Sequence, residues 1–310
     1  MNTATIAAAA PVASASADDA SALVCKVCGH VADPRARAQF GSVRGNTGRF
    51  LKRSFRLWKC PQCLSVHNIE PVDFRDIYSD YPLNHRRLDV FARGTMRNLL
   101  GRLVDAGLKP SDSILDYGCG NGLFVTYLRE RGYRDVHGYD PYVAEFATLP
   151  TGRTFDCVLA NDVIEHVESP RDLVAACYRL CRPGGLTYIG TADSEPVDMA
   201  HLDKDLMRLH QPFHRVIVTQ RGLEQLAVAP GFGLLKSYRR SYMDTWLPFS
   251  NYRFLDEFNA ALGHHMDKAF EPDAGKVIAR KPVLLWFAFF GYLFPSAFEP
   301  AVVLRKPAVP

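Results

Sequence analysis

No hydrophobic run in this sequence is long enough to span a bilayer. The most apolar stretch, residues 283–294 (VLLWFAFFGYLF), lies between two prolines and falls well short of the roughly 20 residues that a membrane-spanning helix requires. Packing as a core helix is favoured for this stretch. Peripheral contact with a membrane surface through residues 283–294 is the open alternative.

The sequence also lacks a strong excess of charge and a recognisable leader. It has 37 Lys and Arg against 33 Asp and Glu, a balance that is not typical of a dedicated nucleic-acid-binding protein. The first twenty or so residues are rich in Ala and Ser, without a basic start or a Leu/Val run, so residues 1–21 are predicted to be a disordered tail and not a signal peptide. Four of the eight cysteines are scattered singly, which predicts a reducing, cytoplasmic location.

What the sequence does contain, from residue 111 onward, is an alternation of short apolar runs and helical patterns. This alternation is typical of an α/β domain with a parallel sheet. The predicted strands are 113–118, 136–140, 155–162, 186–191, 233–242 and 301–307, and the predicted helices are 88–104, 121–132, 170–181 and 219–229. The predicted divisions of the chain are a cysteine module (22–71), a linker with a helix (72–110) and the α/β domain (111–310) with an insertion at about 243–298.

A glycine-rich segment, LDYGCGNG at 115–122, joins the first strand of this domain to the next helix. Glycines let the backbone turn sharply and approach a ligand, so a ligand site is expected at the carboxyl end of that strand. A dinucleotide fingerprint would need glycine where Leu123 stands, and Asp116 would repel a pyrophosphate. The segment therefore favours a ligand with an amino group and a sulfonium. Asp140, at the end of the next strand, is placed to accept hydrogen bonds from ribose hydroxyls.

Four segments in order, LDYGCGNG, GYDP, FDCVLANDVIEHVESP and CRPGG, resemble the signature segments of class I S-adenosylmethionine-dependent methyltransferases. The resemblance covers about residues 111–191 and implies a Rossmann-like, mostly parallel sheet of the seven-strand type, with S-adenosyl-L-methionine as the cofactor. It implies contacts to the methionine part of the cofactor from Asp116, Gly118, Gly120 and Gly122. It also implies that Asp140 holds the ribose and that Asn161 lies beside the transferable methyl group. Residues 141–154 depart from the pattern, because the usual helix and third strand are not evident there, and the adenine pocket is not assigned.

Two CxxC pairs, CKVC and CPQC, predict a structural zinc site in a small N-terminal zinc ribbon. Each pair can present two thiolates from a tight turn, and two such turns complete a tetrahedral site with the ligands Cys25, Cys28, Cys60 and Cys63. A redox role would need only one pair, so zinc is favoured. His30 and His67, which follow the two pairs, are interpreted as ordinary surface histidines.

The order of a zinc ribbon, a linker of the IYSDY type and a methyltransferase core resembles bacterial methyltransferases that act on sugars, polysaccharide precursors and other small metabolites. It is similar to sugar C-methyltransferases in its first two parts only, because this chain is too short for their long third domain. A small-molecule or sugar-type acceptor is therefore expected, with no prediction of oligomeric state. One alternative is an RNA or protein methyltransferase that docks its substrate on the basic residues between the cysteine pairs, although a solvated face is the favoured interpretation of those residues. The other alternative is a non-catalytic adapter.

Three histidines are candidates for a general base that takes a proton from an oxygen or nitrogen acceptor. They are His166, for which a packing role is favoured over catalysis, and His210 and His214, which follow the fifth core strand. The stretch 242–254, which interleaves aromatic and polar residues, is expected to cap the site; an extra packing layer is nearly as good an interpretation.

Overall fold

The computed structural model describes residues 23–295 and 299–308. The predicted disordered tail, residues 1–21, lies outside the described residues. The strands of the described chain are β1 (Phe40–Arg44), β2 (Ser54–Lys59), β3 (Val66–Asn68), β4 (Ile114–Tyr117), β5 (Val136–Tyr139), β6 (Phe155–Asn161), β7 (Cys181–Gly190), β8 (Val216–Ile217), β9 (Gly233–Tyr238) and β10 (Ala301–Arg305). Its α-helices are α1 (Phe74–Tyr78), α2 (Val90–Asp105), α3 (Leu123–Glu130), α4 (Pro170–Leu180), α5 (Leu206–Leu209), α6 (Gln220–Val228), α7 (Tyr252–Ala261), α8 (Lys276–Arg280) and α9 (Val283–Phe290).

Six strands form the main sheet in the order β5-β4-β6-β7-β10-β9. The first four are parallel, and β10 is antiparallel to both of its neighbours. The parallel strands are short apolar runs because both of their faces are covered, and the side chains of Ile114, Leu115 and Val158 are completely buried. The strand order reverses between β4 and β6, and the carboxyl ends of strands at such a point are where ligands bind in open α/β sheets. The predicted Rossmann-like fold is confirmed.

The segment between β5 and β6 lacks the helix and strand that a seven-stranded sheet would have there. Residues 141–154 are described throughout, and their one regular element is a single turn of 3-10 helix, Ala144–Phe146. The main sheet accordingly has six strands in the described part of the chain. The missing strand is the one for which the sequence showed no pattern.

A second sheet joins the N-terminal module to the α/β domain. Its order is β1-β2-β3-β8, and β8 comes from the segment that follows β7. Val66 pairs with Ile217 across the junction. Trp58 and Cys60 also share one buried cluster with Val158 of the main sheet. The module is therefore packed and hydrogen-bonded onto the α/β domain, beside the segment that carries two of the candidate histidines.

Helix α9 is not the core helix favoured by the sequence. Only Leu284 and Ala288 of its eight residues are buried, and five others are exposed. No helix within the described ranges is long and apolar enough to cross a membrane. The favoured prediction for this stretch is wrong because the neighbouring elements cover only one edge of the helix.

Candidate functional site

The loop after β4 brings three glycines to the carboxyl edge of the sheet. Gly118 and Gly122 have positive φ angles of 80° and 73°, which residues other than glycine adopt only with backbone strain. A Cβ on Gly122 would lie 2.5 Å from the ring of Phe146, whereas a Cβ on Gly120 would meet no atom within 4 Å. The backbone at Gly120 thus faces open space, where a ligand can approach it closely.

Asp140, the residue after β5, is tied to this loop. Its carboxylate accepts hydrogen bonds from the backbone N–H of Gly120 at 3.0 Å and of Tyr142 at 2.9 Å. Burial raises the pKa of Asp140, while these two N–H groups lower it. The carboxylate is only partly buried, so it combines a fixed orientation with access from solvent.

Asp116 lies under the glycine loop and is 5% exposed. Burial, followed by the charge of Asp140, raises the pKa of Asp116 to about 7. A buried carboxyl with a raised pKa is stabilised as the anion when a cation binds beside it. The site therefore favours a positively charged ligand over a pyrophosphate.

Asn161 and Asp162 stand at the end of β6. The side-chain amide of Asn161 donates to Asp162 Oδ2 at 2.9 Å, while the buried Oδ1 of Asn161 has no hydrogen-bond partner among residues 23–295 and 299–308. Tyr242, at the start of the insertion, donates its hydroxyl to the same Asp162 oxygen at 2.9 Å. Burial raises the pKa of Asp162 to about 6. The insertion thus contacts the strand end that the resemblance places beside the transferable methyl group.

The structure brings the three candidate histidines together. The ring of His214 lies 4.7 Å from that of His166 and 5.2 Å from that of His210, centre to centre. Burial lowers the pKa of all three rings, to about 4 for His214, so they are neutral at pH 7. His214 and His210 are buried, whereas His166 is partly exposed.

The hydrogen bonds of His166 and His214 distinguish the chemistry of these two rings. The Nδ1 atom of His166 shares a hydrogen bond with the hydroxyl oxygen of Tyr78, 2.7 Å away. The His166 ring is also hydrogen-bonded to the backbone of Phe213. His214 Nδ1 lies 2.7 Å from the carbonyl oxygen of Arg208, which can only accept, so Nδ1 carries the proton and Nε2 keeps its lone pair. His214 can therefore accept a hydrogen bond at Nε2, while its lowered pKa disfavours protonation of the ring.

Glu165, immediately before His166, is a site residue to which the sequence analysis assigned no role. Its carboxyl group is 2% exposed and accepts a hydrogen bond from the backbone N–H of Ala192 at 3.3 Å. Burial and the nearby charge of Asp162 raise the pKa of Glu165 to about 8. One ligand atom from each of Glu165, His166 and His214 lies within 4.8 Å of the others. A carboxyl group with a pKa near neutrality thus adjoins the neutral histidines.

The IYSDY linker supplies a second feature that the sequence did not assign to the site. Tyr78 stacks on Tyr142 at 4.5 Å, and Tyr81 lies 4.7 Å from Phe213 and 6.2 Å from His166. These aromatic rings pack against His166 and His210 and connect them to Tyr142, two residues after Asp140. The aromatic spacing in the linker was the available signal, although it could not show which surface the rings would cover.

A cavity of about 600 Å³ opens at the same edge of the sheet. Asp193 follows β7, Arg239 follows β9 and Pro300 precedes β10, so three neighbouring strand ends contribute to its wall. The insertion contributes Tyr252 and Asp256. A site with both acidic and basic side chains suits a polar ligand of small-molecule size.

The four cysteines of the two CxxC pairs form one cluster. The Sγ atoms of Cys25 and Cys63 are 3.5 Å apart, and those of Cys28 and Cys60 are 3.6 Å apart. These distances are far from the roughly 2.05 Å of a disulfide and close to the separation of about 3.8 Å expected for two thiolates on one tetrahedral zinc ion. The donor set and its spacing therefore fit zinc.

The interpretation of His67 as an ordinary surface residue is wrong. It is 2% exposed, its Nε2 atom is 3.2 Å from Cys25 Sγ, and its ring stacks on Trp58 at 5.1 Å. The position is buried because β3 lies between β2 and β8. The sequence could not show that pairing.

Several of the basic residues between the cysteine pairs are engaged within the protein. Arg49 is paired with Asp76, and Arg56 with Glu70. The ammonium group of Lys59 donates to two backbone carbonyl groups of the α/β domain. These contacts favour a structural role for the basic segment over a nucleic-acid surface.

Comparisons with known proteins identify the central part of the chain. Residues 84–237 match the family described as "Methyltransferase domain". The ubiquinone biosynthesis O-methyltransferase of Roseobacter denitrificans is 33% identical over 105 residues, which cover 27% of this chain and 42% of that protein. The protein of the same name from Caulobacter vibrioides is 31% identical over 103 residues, covering 26% and 40%. This chain spans less than half the length of the curated relatives it matches.

Among solved structures, the 1,6-didemethyltoxoflavin-N1-methyltransferase of Burkholderia thailandensis has 18% sequence identity and a TM-score of 0.44, covering 81% of this chain and 98% of that one. The family match over residues 84–237 contains the glycine loop, Asp140 and the end of β6 together. Residues 84–237 of this chain therefore form a methyltransferase domain of the S-adenosylmethionine-dependent type.

Proposed function

We propose that this protein transfers the methyl group of S-adenosylmethionine to a small polar acceptor, of the sugar or glycan-precursor type, bound in the 600 Å³ cavity. The observation that carries the proposal is the position of this cavity, at the same sheet edge as the glycine loop and the buried acidic and histidine groups. A substrate in the cavity and a cofactor on the loop would share one end of the sheet.

The residues of the loop fit the cofactor. Asp140, already oriented by two backbone N–H groups, would accept hydrogen bonds from the ribose hydroxyls. Asp116 would attract the ammonium and sulfonium groups, and the open backbone at Gly120 leaves room for the methionine part. When bound, the cofactor supplies an activated methyl group. The protein then contributes mainly by holding the acceptor atom in line with it.

We infer that Glu165, in its ionised form, accepts the proton of a hydroxyl acceptor. His214 presents Nε2 as the unprotonated ring nitrogen, and Glu165 lies beside it. A group acts best as a general base when its pKa lies near the working pH, which the raised pKa of Glu165 satisfies. His166, held by Tyr78 and Phe213, would position this pair.

The four-cysteine cluster is proposed to hold a structural zinc ion. All four ligands would come from the protein, leaving no open position for substrate. Since the cluster belongs to the same buried core as β6, the metal would support the fold on the histidine side of the site.

Cofactor affinity is expected to fall as the pH falls through 7. The pKa of Asp116 is raised to about 7, so lower pH protonates the carboxylate that attracts the ligand's ammonium group. This single titration predicts a roughly 30-fold rise in Kd between pH 8 and pH 5.5. Calorimetric titration with S-adenosylhomocysteine across that range measures the effect. An Asp116→Asn variant should bind weakly at every pH, and an equal pH dependence in that variant would assign the titration to another group.

Replacing Glu165 by glutamine should lower kcat about 100-fold while leaving cofactor affinity unchanged. In the unmodified enzyme kcat should rise with pH up to about 8, since the raised pKa of Glu165 delays its ionisation. The variant should lose this rise. Glu130→Gln, on the exposed face of α3, is the control. An unchanged kcat in Glu165→Gln with intact cofactor binding would remove Glu165 from the reaction.

The proposal as a whole is tested by titrating the zinc-replete protein with S-adenosylmethionine and then following methyl transfer by mass spectrometry to a panel of nucleotide sugars, sugars and phenols. Micromolar binding followed by transfer to one class would establish the activity and its acceptor. No binding of the cofactor would overturn the proposal in favour of a non-catalytic adapter. Transfer to RNA alone, with strong salt dependence, would favour a nucleic-acid substrate.

A further inference from the structure

One surface of the insertion exposes an unusual amount of apolar side chain. We define the apolar ridge as the outward residues of α9 and of the turn that follows it, each between 41% and 77% exposed: Val283, Leu285, Trp286, Phe289, Phe290, Leu293 and Phe294. Together they present on the order of 600 Å² of apolar surface, at the upper end of the patches found on monomeric proteins. Such a surface indicates a binding partner.

The ridge is held in place by the protein beneath it. Leu284 and Ala288 pack into a small core with Phe254 of α7. The side chain of Asn251 donates to the carbonyl oxygens of residues 287 and 288 at 3.0 and 3.2 Å. The outward side chains therefore project from an anchored helix, so a partner would meet a preformed surface.

The chain around the ridge is basic. Lys276, Arg280 and Lys281 precede α9 and are exposed, and residues 274–298 include no Asp or Glu. Lys276 also lies 3.5 Å from Asp273. An apolar ridge bordered by cations is complementary to a surface that combines acyl chains with anionic headgroups, where each basic residue adds to the attraction.

We propose that the apolar ridge docks this protein on the surface of a membrane that contains anionic lipid. An eight-residue helix is about 12 Å long, so α9 lies in the interface and does not cross the roughly 30 Å of hydrocarbon. A second copy of the chain fits less well, because the basic border of one ridge would face the like charge of the other.

Docking places the bilayer one helix away from the proposed acceptor cavity. Helix α7 lines that cavity with Tyr252 and Asp256 and supports the ridge with Phe254. The inference itself rests on the exposed surface and not on methyl transfer, so either proposal can fail alone. Cofactor titration in solution provides the separate check that each variant remains folded.

Vesicle flotation with the full chain tests the docking. The protein should float with phosphatidylcholine vesicles containing phosphatidylglycerol and float less with phosphatidylcholine alone. The double variant Trp286→Ser/Phe289→Ser should partition about 30-fold more weakly. Leu285→Ser should weaken partitioning several-fold, whereas Leu235→Ser, on the edge strand β9, should leave it unchanged. The two leucines are matched in exposure, at 44% and 43%.

Charge reversal separates the two parts of the surface. Arg280→Glu/Lys281→Glu should abolish the preference for anionic vesicles while retaining weak binding through the ridge. The variant Trp246→Phe retains Trp58, which is buried, and Trp286, which is exposed on the ridge. In this variant the tryptophan fluorescence should shift to shorter wavelength when the protein binds vesicles, because Trp286 leaves water. The proposal is overturned if the protein floats with neither vesicle, if Leu235→Ser is as defective as Leu285→Ser, or if sedimentation shows a dimer that Leu285→Ser dissociates.

Discussion

The Asp140→Ala variant is expected to bind S-adenosylmethionine at least about 100-fold more weakly than the unmodified protein. Two hydrogen bonds from ribose hydroxyls to a carboxylate contribute about 1.5–3 kcal/mol each, and 3 kcal/mol corresponds to more than a 100-fold change in Kd. The loss also frees the N–H groups of Gly120 and Tyr142, which Asp140 now holds. Calorimetry measures the change. Asp140→Asn, which keeps one acceptor oxygen, should lie between the two.

Asp135→Ala is the matched control for this variant. Asp135 stands immediately before β5, as Asp140 stands immediately after it, and it forms surface pairs with Arg153 and His137. Its removal should leave cofactor affinity within twofold, because it lies at the opposite end of the strand. Full affinity in a folded Asp140→Ala protein would show that the ribose is held elsewhere, and an equal loss in Asp135→Ala would indicate an indirect effect on β5.

The fold was predictable where local pattern and buried strands coincide. Runs such as 155–162 are apolar because both faces of a central strand are covered, and the glycine loop marks the point where β4 ends. The pairing of β8 with β3 was not predictable, because a two-residue strand carries no periodicity. Its existence depends on tertiary contact between segments far apart in the sequence.

The candidate site was likewise predictable from the sequence only in part. The cofactor residues proposed here follow from glycine spacing and from acids at strand ends, which are local features. The raised pKa of Glu165 follows from burial beneath β7 and from the nearby charge of Asp162, so no feature of the IEHVE segment could supply it. For α9, the apolar run predicted a helix. The side of α9 that is exposed depends on how much of the helix packs against α7, which the sequence of α9 alone does not show.

Loss of the zinc ion proposed for the four-cysteine cluster is expected to have the largest effect on stability. The protein should contain one zinc ion per chain, and Cys60→Ser should lose it and unfold at least about 3 kcal/mol more easily, since structural zinc sites contribute directly to folding. Cys60 is fully buried and belongs to the core cluster shared with β6, so its loss also leaves a polar side chain in that core. Elemental analysis and urea unfolding measure the two effects.

Cys181→Ser is the control, because Cys181 is equally buried in the same hydrophobic core but stands at the start of β7, outside the four-cysteine cluster. It should keep its zinc and lose much less stability. Hydrogen exchange in Cys60→Ser should rise first in β3 and β8 and then around His214, since β8 joins the module to that segment. Cofactor affinity should change less than kcat, because the loop after β4 is not part of the small sheet. Retention of zinc and of stability by Cys60→Ser would contradict the proposed zinc site. Equal losses of cofactor affinity and kcat would show that the module supports the whole sheet edge and not the histidine side alone.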